Sequence, residues 1–361
     1  MKRAINFNPG PAALPEWALE EAKKGFINYQ NTGMSVMELS HRSKTYEQIH
    51  NNGQALLRKL MNINDDYEVL FLQGGASLQF SMVPMNLLTG NKIAYYILTG
   101  SWSEKALKEG KKIGKTAVFA SAKEGGYRTI PHYEEITQLE NAAYLHITSN
   151  NTIFGTQWKH FPDTHAIPLI ADMSSDILSK KIDINQFALI YAGAQKNLGP
   201  SGVTVVIIKK DLLKQEIDSV PTMLQYQTYA ASNSLYNTPP TFSIYMLSLV
   251  LQWVENYGGI GEIEKINQQK ADLLYEMIDN SHGFYRGHAE IDSRSNMNVT
   301  FTLPSTEITE KFLAEAKESG FVGLNGHRSV GGCRASIYNA VPLEHVEALG
   351  SFMEKFKNQY S

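Results

Sequence analysis

An apolar stretch of this sequence runs straight into a lysine: Ala188-Leu-Ile-Tyr-Ala-Gly-Ala-Gln195-Lys196-Asn197-Leu-Gly199-Pro200-Ser-Gly202, with glycines and small residues around Lys196. Lysine is a strongly hydrated cation, so a place at the end of a buried strand costs desolvation unless the amine is paired, neutral or used covalently. Condensation with an aldehyde requires a neutral amine. Most lysines at strand ends simply point into solvent, and context has to decide. The context is Asp172, which closes the strand-like run Pro168-Leu-Ile-Ala-Asp172, is followed by Met173-Ser174-Ser175, and stands 24 residues before the lysine. Adjacent parallel strands would bring both to one end of a sheet. Alone, an aspartate there is more often a cap or turn residue. Together the two match a specific need: pyridoxal phosphate requires a lysine for its aldehyde and a carboxylate that keeps its ring nitrogen protonated, so that the ring can accept the electrons of a carbanion.

Such a cofactor also needs donors for its phosphate. Gln73-Gly74-Gly75-Ala76-Ser77 lies where a strand-like run gives way to a helical one, and the free N–H groups at a helix start bind anions. The double glycine lets backbone approach closely, although a glycine pair equally suits an ordinary turn. Trp102, in Thr99-Gly100-Ser101-Trp102 after another strand, offers a flat face for a pyridine ring; otherwise it is a core or surface aromatic. An anionic substrate calls for arginines with bidentate geometry. Arg42 follows His41, Arg328 follows His327 in a glycine-rich loop, and Arg334 opens a strand in Gly331-Gly332-Cys333-Arg334-Ala-Ser-Ile-Tyr-Asn339-Ala340. Each alone reads more readily as an exposed structural arginine.

Other chemistries find less support. Gly110-Lys-Lys-Ile-Gly114-Lys115-Thr116 has one residue too few between its glycines for a nucleotide phosphate loop and precedes a strand rather than a helix, and no complete G-x-G-x-x-G occurs. His160 and His165 have no further metal ligands nearby and read as loop histidines, so no metal is expected. The single cysteine, Cys333, cannot form an internal disulfide or a thiolate zinc site and suits a reducing, cytoplasmic setting. A net charge of −3 with interspersed signs gives no field that would attract nucleic acid or an anionic membrane. Apolar runs such as 203–208 fall far short of the roughly 20 residues of a membrane-spanning helix. The start, Met1-Lys2-Arg3 and then Asn6-Phe7-Asn8-Pro9-Gly10-Pro11, carries no secretion signal. A soluble protein is expected, with neither nucleic acid nor membrane as partner.

The elements that must position these residues follow from the apolar pattern. The chain has 361 residues, more than the roughly 250 to 300 at which one core stops growing, so two domains are expected. Hydrophobic residues at 43% and charged residues at 19% support a sizeable core. Short apolar runs alternate with amphipathic stretches, the pattern of an α/β sheet with crossover helices. Strands are expected at 67–72, 92–98, 143–148, 169–173, 187–192 and 203–208, with a helix at 103–112; near-continuous apolar runs of this kind suit buried parallel strands. A helical pattern beginning at Thr241 is interrupted by Tyr257-Gly258-Gly259-Ile260-Gly261 and resumes at Glu262, which places a boundary there. Beyond it, a strand near 296–302, a helix at 306–319, a strand at 334–338 and a last helix from Leu343 make a smaller α+β unit. The expected division is 16–258 for the large domain, with 1–15 and 259–361 forming the small one.

In chain order, Asn6-Phe-Asn-Pro-Gly-Pro11, Asp172-Met-Ser-Ser175, Gln195-Lys196-Asn197 and Gly331-Gly-Cys-Arg-Ala-Ser-Ile-Tyr-Asn-Ala340 resemble the phosphoserine aminotransferases, class-V pyridoxal-phosphate enzymes of fold type I, and the resemblance covers essentially the whole chain. It implies a mostly parallel seven-stranded sheet in the large domain, a homodimer with shared active sites, and one pyridoxal phosphate per subunit. It further implies that Lys196 holds the cofactor's aldehyde, Asp172 meets the pyridine nitrogen, Trp102 stacks on the ring and Thr152 bonds the phenolic oxygen. Ala76 and Ser77 would bind the phosphate with help from Gln195, and Asn237 and Thr238 would reach it from the neighbouring subunit. Arg334 would clamp the substrate α-carboxylate, while His41, Arg42, His327 and Arg328 would form the pocket for the substrate phosphate or the glutamate side chain. One departure is visible: some members carry an arginine where this chain has Ser77.

The reaction so implied moves the amino group of L-glutamate to 3-phosphohydroxypyruvate, giving O-phospho-L-serine and 2-oxoglutarate, a step in serine biosynthesis; a side activity on 3-hydroxy-2-oxo-4-phosphooxybutanoate stays open. Two rivals stand beside it. Another fold-type I enzyme such as a cysteine desulfurase would need a reactive cysteine, and Cys333 lies on a strand beside Arg334. A non-catalytic small-molecule binding protein would have no use for a strand-end lysine paired with an aspartate.

Overall fold

Seven strands rich in β-branched and aromatic residues form one sheet: β1 (Tyr67–Leu72), β2 (Ile93–Leu98), β3 (Thr116–Ser121), β4 (Ala142–Thr148), β5 (Leu169–Asp172), β6 (Leu189–Gly193) and β7 (Thr204–Lys209). The computed structural model from which they are read describes residues 3–133, 136, 139–214 and 219–361; Met1 and Lys2, at the head of the expected small domain, lie outside them. The order across the sheet is β1-β7-β6-β5-β4-β2-β3. Neighbours from β6 to β3 run parallel, whereas β7 is antiparallel to both β6 and β1. The run 203–208, read above as a parallel strand, is therefore antiparallel. Its reason is the short link from β6: a parallel return needs a crossover of roughly a dozen residues or more, usually a helix.

Successive strand residues face opposite sides, and the sheet accordingly separates two apolar cores. Val69, Phe71, Leu145, Ile147, Ala171, Ile190 and Val205 belong to one. Leu70, Leu72, Tyr144, Ile170, Leu189, Tyr191 and Val206 belong to the other. Helices α1 (Lys44–Met61), α2 (Gly75–Leu87), α3 (Ser101–Ile113) and α4 (Thr241–Asn256) cover the faces. The edge strand β3 is nowhere fully buried, which is why its apolar signal is weaker than that of its neighbours.

Past Gly258 and Gly259, both at positive φ, α5 (Ile260–Asp279) leads into a three-stranded antiparallel sheet of β8 (Arg286–Gly287), β9 (Asn298–Thr302) and β10 (Cys333–Ser336), with α6 (Thr306–Glu318) and α7 (Leu343–Tyr360) against it. A separate core forms here and takes in Phe7 from the start of the chain, which Ile5–Asn6 bring alongside Phe321–Val322. Inside this region Lys270 is fully buried and donates to the carbonyls of Ile337, Tyr338 and Val341 at 2.9, 2.8 and 3.1 Å. Three acceptors use the three N–H groups of an ammonium. The turn so held reaches the other half of the chain, because the Asn339 N–H donates to Asn197 Oδ1 at 3.0 Å, next to Lys196.

Among the described residues no helix is long and apolar enough to cross a membrane, and no cluster of three or more His, Cys, Asp or Glu residues could hold a metal ion.

Candidate functional site

Parallel neighbours end at the same edge of a sheet, and open α/β sheets hold ligands beyond the carboxyl ends of their strands. Here Asp172, the last residue of β5, stands opposite Tyr191 of β6. A few residues later the chain turns at Lys196. Both side chains line one cavity of about 250 Å³, together with Pro9, Gly10, Ala76, Ser77, Trp102, Thr152, Gln195, His327 and Arg334. Gly10 lets the N-terminal segment press against the lysine: it sits at φ +141°, and a Cβ there would lie 3.2 Å from Lys196 Cγ.

The Asp172 carboxylate is buried and oriented. Oδ1 accepts from the Ser174 N–H at 3.0 Å and from the Ser174 hydroxyl at 2.6 Å, and that hydroxyl oxygen in turn accepts from the Gly193 N–H at 3.1 Å. Oδ2 is left without a hydrogen bond among the described residues. Burial raises the Asp172 pKa, opposed by the charge of Lys196 and the two Ser174 bonds. A carboxylate held this way stays available to a cation or an N–H that enters the cavity.

Lys196 donates from Nζ to Thr152 Oγ1 at 2.7 Å and lies 5.6 Å from the centre of the Trp102 ring. Its pKa falls to about 8, chiefly through burial, with Asp172 opposing and Arg334 reinforcing the shift. An ammonium made easier to deprotonate is suited both to condensing with an aldehyde and to moving a proton near neutral pH. Thr152 ties the lysine to Arg334, whose Nη1 donates to the Thr152 carbonyl at 3.1 Å.

The cationic side is built from two loops and a helix start. Arg334, on β10, is buried, and its Nε has no partner among the described residues. A buried donor left open is costly, so it marks a place for an acceptor. Burial lowers the pKa of His327, and the charges of Arg334, Arg328 and Lys105 lower it further. Across the cavity, Gly74 and Gly75 adopt positive φ at the start of α2, which aims the N–H groups of its first turn at the space beside Ala76 and Ser77. Trp102 sits in the first turn of α3, which the Ser103 hydroxyl fixes by accepting from the N–H groups of Thr99 and Gly100. Its buried Nε1 is also without a partner among the described residues. A flat molecule bearing an aldehyde, a ring nitrogen and a phosphate matches this set: an amine, an open carboxylate oxygen, an aromatic face and a helix start.

Not every candidate residue lines this cavity. Asn237, Thr238, His41, Arg42 and Arg328 do not. Thr238 and His41 lie together, Oγ1 to Nδ1 at 3.3 Å, and the Thr238 carbonyl accepts from Gln73 at 3.3 Å beside the start of α2. His41 Nε2 and Asn237 Oδ1 are buried atoms with no partner among the described residues. Conversely, Phe80, Thr148, Asn150, Ile153, Ser174 and Ser175 line the cavity without having been singled out. Of these only Ser174 carried a readable signal, two residues after an aspartate in a turn.

The family described as class-V aminotransferase matches residues 4–349. The chain is 67% identical to the phosphoserine aminotransferase of Geobacillus kaustophilus (strain HTA426) over 361 residues, all of both proteins. It is 59% identical to that of Bacillus subtilis (strain 168) over 359 residues, 99% of each. Among solved structures, it superposes with a TM-score of 0.97 on the phosphoserine aminotransferase from Bacillus circulans subsp. alkalophilus, at 56% identity over 100% of both chains. A TM-score of 0.97 also relates it, at 62% identity over 99% of this chain and 100% of the other, to a phosphoserine aminotransferase studied for radiation damage of its Schiff base.

Proposed function

We propose that this chain, which belongs to the class-V aminotransferase family, is a phosphoserine aminotransferase: it exchanges the amino group of L-glutamate with 3-phosphohydroxypyruvate, reversibly giving O-phospho-L-serine and 2-oxoglutarate, a step of serine biosynthesis. The observation that carries this reading is the meeting of the Lys196 amine and the Asp172 carboxylate in one cavity that is also lined by Arg334 with an open donor. Names borne by relatives 59–67% identical over nearly the full length agree with it.

Pyridoxal phosphate, when bound, supplies an electron sink for the carbanion formed at the substrate α-carbon. The residues that would hold it are Lys196 at the aldehyde, Asp172 at the ring nitrogen, Trp102 at the ring face, Thr152 at the phenolic oxygen, and Ala76, Ser77 and Gln195 at the phosphate. Arg334 orients either substrate by its α-carboxylate. With its amine free, Lys196 would take the proton from the substrate Cα as a general base. Phe80, Ile153 and Trp102 supply apolar walls that limit water around that transfer. Asn237 and Thr238 serve the cavity of a second copy, which makes the working unit a homodimer with shared sites, and His41, Arg42, His327 and Arg328 form the pocket for the substrate phosphate or the glutamate side chain; the position of Asn237 and Thr238 off this chain's own cavity lining supports the shared arrangement. The division into 16–258 and 1–15 with 259–361, and a cytoplasmic setting, belong to the same reading.

Cys333 does not favour a sulfur-transfer alternative: it is fully buried and burial pushes its pKa up to about 12, the reverse of a reactive thiol. The deciding assay is glutamate-dependent conversion of 3-phosphohydroxypyruvate beside its unphosphorylated analogue, hydroxypyruvate. A marked preference for the phosphorylated acid is expected, and equal rates would sink the assignment.

Two further results are expected. Capture of pyridoxal phosphate by the apoprotein, followed as growth of yellow absorbance, should accelerate as pH rises toward about 8 and level off above it, because the Lys196 amine must lose its proton and its pKa is lowered to about 8. Below that value the neutral fraction grows about tenfold per pH unit; a rate flat from pH 6 to 9 would contradict the assignment. Arg334→Lys should lower kcat/KM for glutamate and for the oxo acid alike. A lost charge-assisted bond of about 2 to 3 kcal/mol corresponds to roughly 30- to 150-fold. Damage confined to the phosphorylated substrate would move Arg334 to a different role.

A further inference from the structure

The N-terminal segment that presses on Lys196 is itself fastened at two points. The fully buried Tyr338 hydroxyl donates to the Pro9 carbonyl at 2.8 Å, and the Ala12 N–H donates to the Gln195 carbonyl at 2.9 Å. Gly10 lies between these fastenings, where a Cβ would stand 3.2 Å from Lys196 Cγ and 3.7 Å from the Gln195 carbonyl oxygen. The Tyr338 hydroxyl also accepts from Asn298 Nδ2 at 3.2 Å, and Asn298 Oδ1 accepts at 2.8 Å from Asn150, a residue of the cavity lining. Burial pushes its pKa up to about 12, so the proton given to Pro9 stays in place at neutral pH. The next residue, Asn339, meets the other side of the lysine: its N–H donates to Asn197 Oδ1 at 3.0 Å, and its side chain donates to the Leu178 carbonyl at 3.0 Å. Behind both residues stands α5, from which Lys270 donates to the carbonyls of Ile337, Tyr338 and Val341, and Asn267 donates to Asn339 Oδ1 at 2.8 Å. One turn of the C-terminal unit thus holds two of the segments that flank Lys196.

We propose that Tyr338 is a positioning residue for Lys196: its hydroxyl holds Pro9 and Gly10 against the lysine stem, and the turn that carries it takes its own place from Lys270. The inference rests on the functional reading above and deepens it. A lysine side chain is a flexible four-carbon stem, and the bond from Nζ to Thr152 Oγ1 fixes only its end. A wall along Cγ removes staggered conformers that this one bond would still allow. Gly10 can form the wall because it carries no side chain of its own, and Tyr338 and Gln195 keep it from moving away. The wall also shields the stem from water, which sustains the burial that lowers the Lys196 pKa to about 8. The charged groups that act on the amine, Asp172, Arg334 and Asp176, all remain when the Tyr338 hydroxyl is removed.

The test compares the full-length wild type with Tyr338→Phe and Lys270→Met. Capture of pyridoxal phosphate by each apoprotein is followed as yellow absorbance from about pH 6 to 9, on the flank below the ordinary lysine pKa, and thermal unfolding is recorded beside it. Phe keeps the buried ring and removes only the hydroxyl. Tyr338→Phe is expected to slow capture at neutral pH by about tenfold, within the roughly 10²-fold that a small misplacement of a reacting group can cost. Its pH midpoint should move upward, because an amine on a loosened stem is better hydrated and holds its proton more firmly. In the holoenzyme kcat should fall in parallel while KM for glutamate stays within about twofold, since Arg334 is untouched. Lys270→Met, which frees the turn from behind, should move the same quantities in the same direction. If Tyr338→Phe melts at a lower temperature yet captures cofactor at the wild-type rate and midpoint, the residue only fills the core and the proposal is overturned. The link to Lys270 is overturned in the same way if Lys270→Met folds and captures as the wild type does. Failure of borohydride to fix cofactor on Lys196 of the wild type would instead overturn the functional reading itself, and this inference with it.

Discussion

Lys196→Ala is expected to reduce glutamate-dependent transamination by about 10⁴-fold or more, since on the proposed assignment one substitution removes both the covalent anchor for the cofactor and the base that moves the α-proton. A positioned general base alone accounts for roughly 10² to 10⁴, and the loss of a covalent step adds to it. The wild-type geometry leaves no ready substitute: the Lys196 ammonium is the one bonded to Thr152 Oγ1, and no other lysine lines the cavity among the described residues. Three measurements check this. Borohydride should fix cofactor on the wild type and not on the variant. Small primary amines added to the assay should restore part of the proton transfer. Turnover within tenfold of wild type would remove Lys196 from the chemistry altogether.

The second large effect belongs to Asp172→Asn, which should lower kcat by about 10² to 10³, the usual scale for losing one preorganised electrostatic contact in a site that excludes water. This substitution is informative because it preserves nearly everything else. The Asn oxygen can accept the same two bonds from Ser174 that Oδ1 accepts now, so the turn after β5 should keep its shape. What changes is the other atom. With the oxygen held by Ser174, the amide NH₂ stands where Oδ2 was, and an acceptor facing the cavity becomes a donor. A protonated ring nitrogen would then meet an N–H instead of a carboxylate. Cofactor should still bind through Lys196, visible as absorbance and borohydride fixation, while turnover collapses for both amino donors and oxo acids. A loss smaller than tenfold would sink the role given to Asp172.

The acid limb of the pH profile follows from the same residue. Burial raises the Asp172 pKa, with Lys196 and Ser174 opposing. Protonation in acid therefore removes the same charge as the Asn substitution, and burial makes it begin at a higher pH than for an exposed aspartate. The wild type should lose activity on the acid side with a midpoint higher than an exposed aspartate would give, and Asp172→Asn should lack that limb.

Much of this was written into the order of residues. The strand 67–72 was readable to the residue because strands buried on both faces need near-continuous apolar runs. Lys196 and Asp172 were readable because each ends such a run, where a charge is costly without a use. The helix beginning at Thr241 and the restart after the glycine pair were readable from period and punctuation alone. All of these are local properties of a few consecutive side chains.

Other features depended on which distant segments meet, and no local pattern encodes that. The direction of β7 is decided by how the chain returns from β6, not by its own composition. Arg42, Arg328 and Arg334 looked alike in sequence, yet only Arg334 is buried with an open Nε in the cavity lining, because β10 pairs with β9 and carries it there. Ser174 became the residue that orients Asp172 once Gly193 of the neighbouring strand came within reach of its hydroxyl. Sequence alone identified the groups able to do chemistry, because desolvation penalties are felt residue by residue; which of them act together was decided by tertiary packing, because hydrogen bonds and unpaired charges exist only between segments that the fold has already placed in contact.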